Sequence, residues 1–202
     1  HPRAILQGSS TNVTVYGVGL SDAEALDFGS GISVESMDEI DDGALRVTLQ
    51  VAENTGLGGR DLYANGSIAE DAVVVHNGVD RIEVTPGTGT ARSGGANFPK
   101  GYQIFDAWGF DDGPDGEPNT EDDLALGRVD VSWHLEEYAA TYGDDDIDFV
   151  GEIQEDGKFV PAADGPNADR SGNRNNIGDV WVVATSVSGD GAISARAHIV
   201  VM

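Results

Sequence analysis

Asp179-Val180-Trp181-Val182-Val183-Ala184-Thr185 and Ile193-Ser194-Ala195-Arg196-Ala197-His198-Ile199-Val200-Val201 decide the fold class of this chain. Both runs are rich in β-branched residues, and the turn-forming stretch Ser188-Gly189-Asp190-Gly191 lies between them. They read as the two arms of a terminal β-hairpin. Working upstream, Arg81–Pro86, Tyr102–Trp108 and Arg128–Trp133 repeat the signature at shorter length. Near the start, Asn12–Val18 and Leu45–Val51 alternate polar and apolar residues at period 2, the pattern of half-buried strands. Phe28–Val34 reads as a strand after a Gly-rich bend, and Ala72–His76 as a short buried strand ended by the turn Asn77-Gly78. The only helical signal is about two turns from Leu135 to Tyr142, ended by Gly143.

Strands recurring about every 10 residues between Gly, Asn and Asp turns describe sandwiches. The expected fold is all-β, two tandem immunoglobulin-like β-sandwich domains at residues 1–78 and 79–202. The second is the larger and carries long acidic and Asn/Gly-rich loops. Gly87–Pro99, with little apolar pattern, is expected to be an exposed loop within it. Trp108, Trp133 and Trp181 lie on predicted strands, where a core role is expected.

The 202 residues carry 11 basic against 36 acidic side chains, a net charge of −25. That balance excludes nucleic acid and anionic membrane surfaces as partners, because both are held through Lys and Arg. No run approaches the roughly 20 apolar residues of a membrane helix, so no membrane insertion is expected. The absence of Cys excludes disulfides, thiolate nucleophiles, iron–sulfur clusters and C-x-x-C-H haem attachment. Asp outnumbers Glu 24 to 12 and Arg outnumbers Lys 9 to 2, a surface suited to high salt, which would screen its self-repulsion.

The sharpest local feature is the acidic loop Asp111–Asp123. Calcium takes six to eight oxygens, and a loop with Asp first and fifth, Gly sixth and a carboxylate twelfth can wrap one ion. Counting from Asp111, these are Asp115, Gly116 and Asp122; Glu117 and Asp123 complete the candidate metal set of Asp111, Asp115, Glu117, Asp122 and Asp123. Gly113 stands where an EF-hand has Asp or Asn, and no helices flank the loop. The alternative is an acidic, turn-rich loop facing solvent. Asp144, Asp146 and Asp148, read as a strand end, would share one face and hold a cation or guard an edge. Asp164–Asp179, dense in Asx, Gly and Pro, reads as a self-bonded Ω-type loop, with a ligand or partner contact as the alternative. His1, His76, His134 and His198 lack zinc spacing, no G-x-S-x-G is present, and Gly17-Val18-Gly19 is too short for a dinucleotide fingerprint. Carboxylate pairs for glycoside hydrolysis are uninformative among 36 acids, so no catalytic or cofactor-binding residue is assigned.

Taken together, "NVTVYGVGL", "LDFGSGISV" and "GLGGRDLYANG", followed by "DRIEVTPGTGTARSGG", "DGPDGEPNTEDDLALGRVDVSWHLEE" and "GKFVPAADGPNADRSGNRNNIGDVWVVA", resemble the last two domains of the haem-carrying α subunit of quinohaemoprotein amine dehydrogenase. In that family the haems sit in a C-x-x-C-H region and the quinone on a small separate subunit. The terminal β domains pack the haem region against a propeller subunit. The resemblance therefore implies a non-catalytic structural or assembly module with no haem or quinone on this chain. Its partners would be other protein subunits of a redox complex. An extracellular, periplasmic or cell-surface location is expected, with a mature chain beginning at His1. The alternative is a homopolymeric filament or surface layer in which copies of this chain donate Ile193–Met202 to a neighbour's sheet.

Overall fold

The computed structural model describes residues 2–139, 145–170, 174–188 and 191–202. The chain is all-β and falls into two compact units: His1–Asp80 with Phe110–Gly127, and Arg81–Gly109 with Arg128–Met202. The chain thus leaves the second unit at Gly109, contributes to the first, and returns at Arg128. The acidic loop, although it lies beyond residue 79, groups with the first unit.

In the first unit, β1 (Ala4–Leu6), β7 (Ser67–His76), β6 (Gly58–Ala64) and β3 (Leu26–Asp27) form one sheet in the order β1-β7-β6-β3. β2 (Ser10–Tyr16), β5 (Ala44–Val51) and β4 (Ile32–Asp41) form the other, with β5 central. β1 lies parallel to β7 and every other pairing is antiparallel, the wiring of a seven-stranded immunoglobulin-like sandwich. Period 2 sets the core. Leu45, Val47, Leu49 and Val51 of β5 point inward against Ile5, Val13, Phe28, Leu62, Val73 and Val75, while Arg46, Thr48 and Gln50 point away. Each such side chain stabilises the fold by about 1.5–3 kcal/mol relative to exposure.

The second unit is built on β13 (Ser132–Glu137), β16 (Gly178–Ser188), β17 (Gly191–Val201) and β9 (Thr88–Ala91), in the order β13-β16-β17-β9. The terminal hairpin pairs from Gly178↔Val201 to Ser188↔Gly191; Gly189 and Asp190 lie outside the described residues. A second sheet, β10-β15-β14, comprises β10 (Gln103–Ile104), β15 (Lys158–Pro161) and β14 (Gly151–Ile153). Apart from these sheets, β12 (Leu124–Arg128), β11 (Asp106–Asp111) and β8 (Arg81–Thr85) pair in the order β12-β11-β8. Val180, Val182, Ala184, Ala197, Ile199 and Val201 are buried, as are Phe105 and Phe159.

Four expectations are corrected. The helix expected at Leu135–Tyr142 is absent at its start, because Ser132–Glu137 is strand β13, paired with Val180–Thr185 of β16; Ala140–Gly143 lie outside the described residues. Sheet pairing with a distant strand overrides the local helix propensity of Leu and Glu. Gly87–Pro99 is not wholly an exposed loop: Thr88–Ala91 pairs parallel with β17, and Ala91 and Ser93 are buried. Gly89 permits this close approach, since a Cβ there would stand 2.8 Å from Gln103 and 2.9 Å from Phe105. The tryptophans are not core residues. Trp108 is 38% exposed, because Ala107 and Gly109 take the inward positions of β11, and Trp133 and Trp181 are half-buried. Finally, Asp146–Phe149 is a single helical turn, α1, and not a strand end, so Asp146 and Asp148 do not share a strand face; Asp144 lies outside the described residues.

From His198 to Val201, β17 has β16 on one edge and β9 on the other. The run that a strand-donating filament would lend is used within its own chain. The Gly89→Val substitution is expected to lower stability by about 1–3 kcal/mol, because overpacking forces neighbours off their rotamers. Urea unfolding monitored by tryptophan fluorescence measures the loss.

Candidate functional site

Backbone amides meet the carboxylates of the acidic loop. Asp111 is fully buried, accepting from the Asn77 amide through Oδ2 and the Gly113 amide through Oδ1, both at 2.8 Å. Asp80 receives the Asp112 amide at 2.9 Å. Further along, Asp115 Oδ1 accepts from the Glu117 amide at 2.9 Å and Asp123 Oδ2 from the Asn119 amide at 2.9 Å. The Thr120 hydroxyl donates to Asp122 Oδ1 at 2.8 Å, which is the main cause holding the Asp122 carboxyl below its ordinary value. Of the five residues singled out in sequence, the structure gathers Asp115, Asp122 and Asp123 around Thr120. Asp111 turns into the unit, and Glu117 enters through its amide. Among the described residues, no group of three or more His, Asp or Glu side chains converges as metal ligands do.

A second centre was not foreseen. Arg170 is 3% exposed, and its Nη2 donates to Asp145 Oδ1 at 2.7 Å and to Asp146 Oδ1. Its Nη1 donates to the carbonyls of Asn175 at 2.8 Å and Ile177 at 2.9 Å. Arg174 adds a bond of 2.7 Å to Asp145, and the Phe149 ring lies 5.3 Å from the Arg170 guanidinium carbon. The second oxygen of Asp146 accepts from the Asp179 amide at 2.8 Å, in space that any Cβ on Gly178 would occupy. Around it the loop bonds to itself. Asn167 bridges to Asn176 and accepts from the Asp169 amide, both at 2.9 Å, Asp164 accepts from the Gly165 amide at 2.7 Å, and Pro166 bridges Asn175. Two arginines spaced i, i+4 in one Asx-rich loop, opposite a run of Asp, are the sequence signal for this centre.

The third feature lies on the outer face of the terminal hairpin, where Trp181 and His198 are register partners. Tyr138 stacks on His198 with centroids 4.1 Å apart and tilts against Trp181 at 4.9 Å. Arg196 covers Trp181 at 4.5 Å, and His198 Nε2 meets Asp179 Oδ2 at 2.7 Å. The fourth is a cleft of about 250 Å³ beside Trp133, lined by Asp130, Glu155, Asp156 and the ion pair Arg128–Asp106 at 2.7 Å.

Each of these features has carboxylates that accept hydrogen bonds or form ion pairs, on a tandem of β-sandwich modules. The chain belongs to the quinohemoprotein amine dehydrogenase alpha-subunit family: residues 1–77 match its domain III and residues 82–202 its domain IV. No curated protein matches the chain. Among solved structures, protocadherin gamma C5 EC1-3 aligns with 98% of this chain and 64% of that chain, at 14% identity and a TM-score of 0.37. The chain therefore spans under two thirds of that protein's length. The tandem Ig repeats of Dlar align over 99% and 92%, at 10% identity and a TM-score of 0.26.

The buried charges give two expected outcomes. Arg170→Met leaves Asp146 buried without its cation and costs about 3–5 kcal/mol in urea unfolding. Hydrogen bonding from Arg170, opposed by desolvation and aided by the charges of Arg170 and Arg174, lowers the Asp145 carboxyl below the ordinary 3.8. A lowered folded value contributes stability that is present above pH 3.8 and is lost as pH falls through the folded value. The native protein therefore loses stability in that acid window more steeply than Arg170→Met does.

Proposed function

We propose that this chain is a non-catalytic structural and assembly module, the β-domain scaffold of a periplasmic quinohaemoprotein-type redox complex. The observation that carries the reading is the match of residues 1–77 and 82–202, in order, to domains III and IV of an amine dehydrogenase alpha subunit. The chemistry of the residues agrees. Covalent haem attachment through thioethers needs cysteine, and the chain has none. Among the described residues no helix is long and apolar enough to cross a membrane. The haem and quinone belong to other parts of the complex, and this chain supplies rigid surfaces that position them.

The test is isolation in high salt of the protein in its natural setting. Co-elution with a polypeptide showing a haem absorption band supports the scaffold reading. Amine oxidation by the purified chain alone, with an added dye as electron acceptor, overturns it.

Calcium at the acidic loop is part of the proposal. An ion there would draw Asp115, Asp122 and Asp123 away from the amides and hydroxyl they now meet. A melting temperature that rises with calcium over a chelator control supports this, since a ligand bound only to the folded state stabilises it in proportion to RT ln(1 + [L]/Kd). An unchanged melting temperature removes calcium from the proposal. In the same experiment potassium chloride raises the melting temperature, by screening a net charge of −25.

A further inference from the structure

The first unit holds an uncharged cleft of about 260 Å³ between the end of β2 and the β6–β7 hairpin. Buried Leu20 and Leu62 form its floor. Its rim is apolar and open to water: Tyr16 is 73% exposed, Ile68 59%, and Val18 fully exposed. Val18 stands between Gly17, whose amide is bonded to the Gly43 carbonyl at 2.9 Å, and Gly19, which adopts the left-handed conformation at φ 71°. The backbone is thus held so that an aliphatic side chain projects into solvent beside an apolar hollow. Clustered exposure of this kind around a concavity marks a contact surface, whereas scattered apolar residues do not.

Size and charge identify the occupant. Pockets for drug-sized molecules run to roughly 300–1,000 Å³, so this one is scaled to one or two protein side chains. No lining residue is charged, but the adjoining segments carry Asp22, Glu24, Asp41 and Asp42. The unit as a whole holds 20 acidic residues against 3 basic ones. A second copy would bring the same negative charge and be repelled, and an acidic segment would fare no better. We propose that this cleft docks an extended segment of a partner protein that inserts one aromatic or branched aliphatic side chain, flanked by Lys or Arg. The proposal rests on the reading of the chain as an assembly module, and names the surface and partner chemistry.

The test uses the full chain and the synthetic peptide Lys-Lys-Phe-Lys-Lys, with Lys-Lys-Ser-Lys-Lys and Glu-Glu-Phe-Glu-Glu as controls, followed by amide NMR at low salt. The phenylalanine peptide should shift the amides of Val18, Gly19 and Ile68 saturably, and both controls should fail to do so. The double variant Val18→Ser/Ile68→Ser, altered only at exposed positions and checked for an unchanged melting temperature, should bind at least tenfold more weakly. Equal shifts with the serine peptide, shifts centred on the Asp111–Asp123 loop, or no shifts would overturn the cleft as a docking site. Self-association abolished by the double variant would equally overturn it, by naming a second copy as the occupant. Double-variant protein that still co-elutes undiminished with the haem-bearing polypeptide would sink this proposal and leave the scaffold reading standing.

Discussion

A guanidinium taken out of water at Arg170 is the fixed point around which the loops of the second unit close. Removing such a charge from solvent costs several kcal/mol, so the surrounding chain is arranged to meet it. Asp145 and Asp146 bring the start of α1, and the carbonyls of Asn175 and Ile177 bring the far side of the Asx-rich loop. The free oxygen of Asp146 then takes the Asp179 amide, and so sets where β16 begins. From there the register of the terminal hairpin follows, and with it the burial of Val180, Val182 and Ala184. A polar contact at the edge thus directs an apolar core.

The first unit solves a similar problem with carboxylates alone. Asp111, Asp115 and Asp123 take amide hydrogens that tight turns leave without backbone partners, and Thr120 links the last of these residues to Asp122. The acidity of this chain therefore has two physical roles. Part of it is internal, replacing the backbone pairing that irregular loops lack. The rest faces solvent and sets the field that a partner meets on approach.

Much of the strand pattern was legible because burial on one face imposes period 2. Leu45–Val51 carries that signal in its own residues, and Val180–Ala184 was legible instead as a continuous apolar run rich in Val. Ser132–Glu137 was not, since Leu, Glu and Glu favour a helix and the partner that overrides them lies about 50 positions along the chain. Thr88–Ala91 was hidden for a different reason. Its contribution to the sheet depends on what Gly89 lacks, and a missing side chain leaves no hydrophobic mark. The same distance effect limited the reading of the sites. Composition announced the Asp residues near 145 but not their cation, Arg170, which is 24 and 25 positions away. In the acidic loop the carboxylates were visible, and the amides they meet were not.

The first unit draws on two separated stretches of chain, and its Asn77 amide is met by a carboxylate 34 residues later. During synthesis, His1–Asp80 emerges with the positions for Phe110–Gly127 still vacant. The first unit is completed only after the opening strands of the second have left the ribosome. A cut after Asp80 would therefore keep all seven strands of the first sandwich and still remove the carboxylate that meets its Asn77 amide.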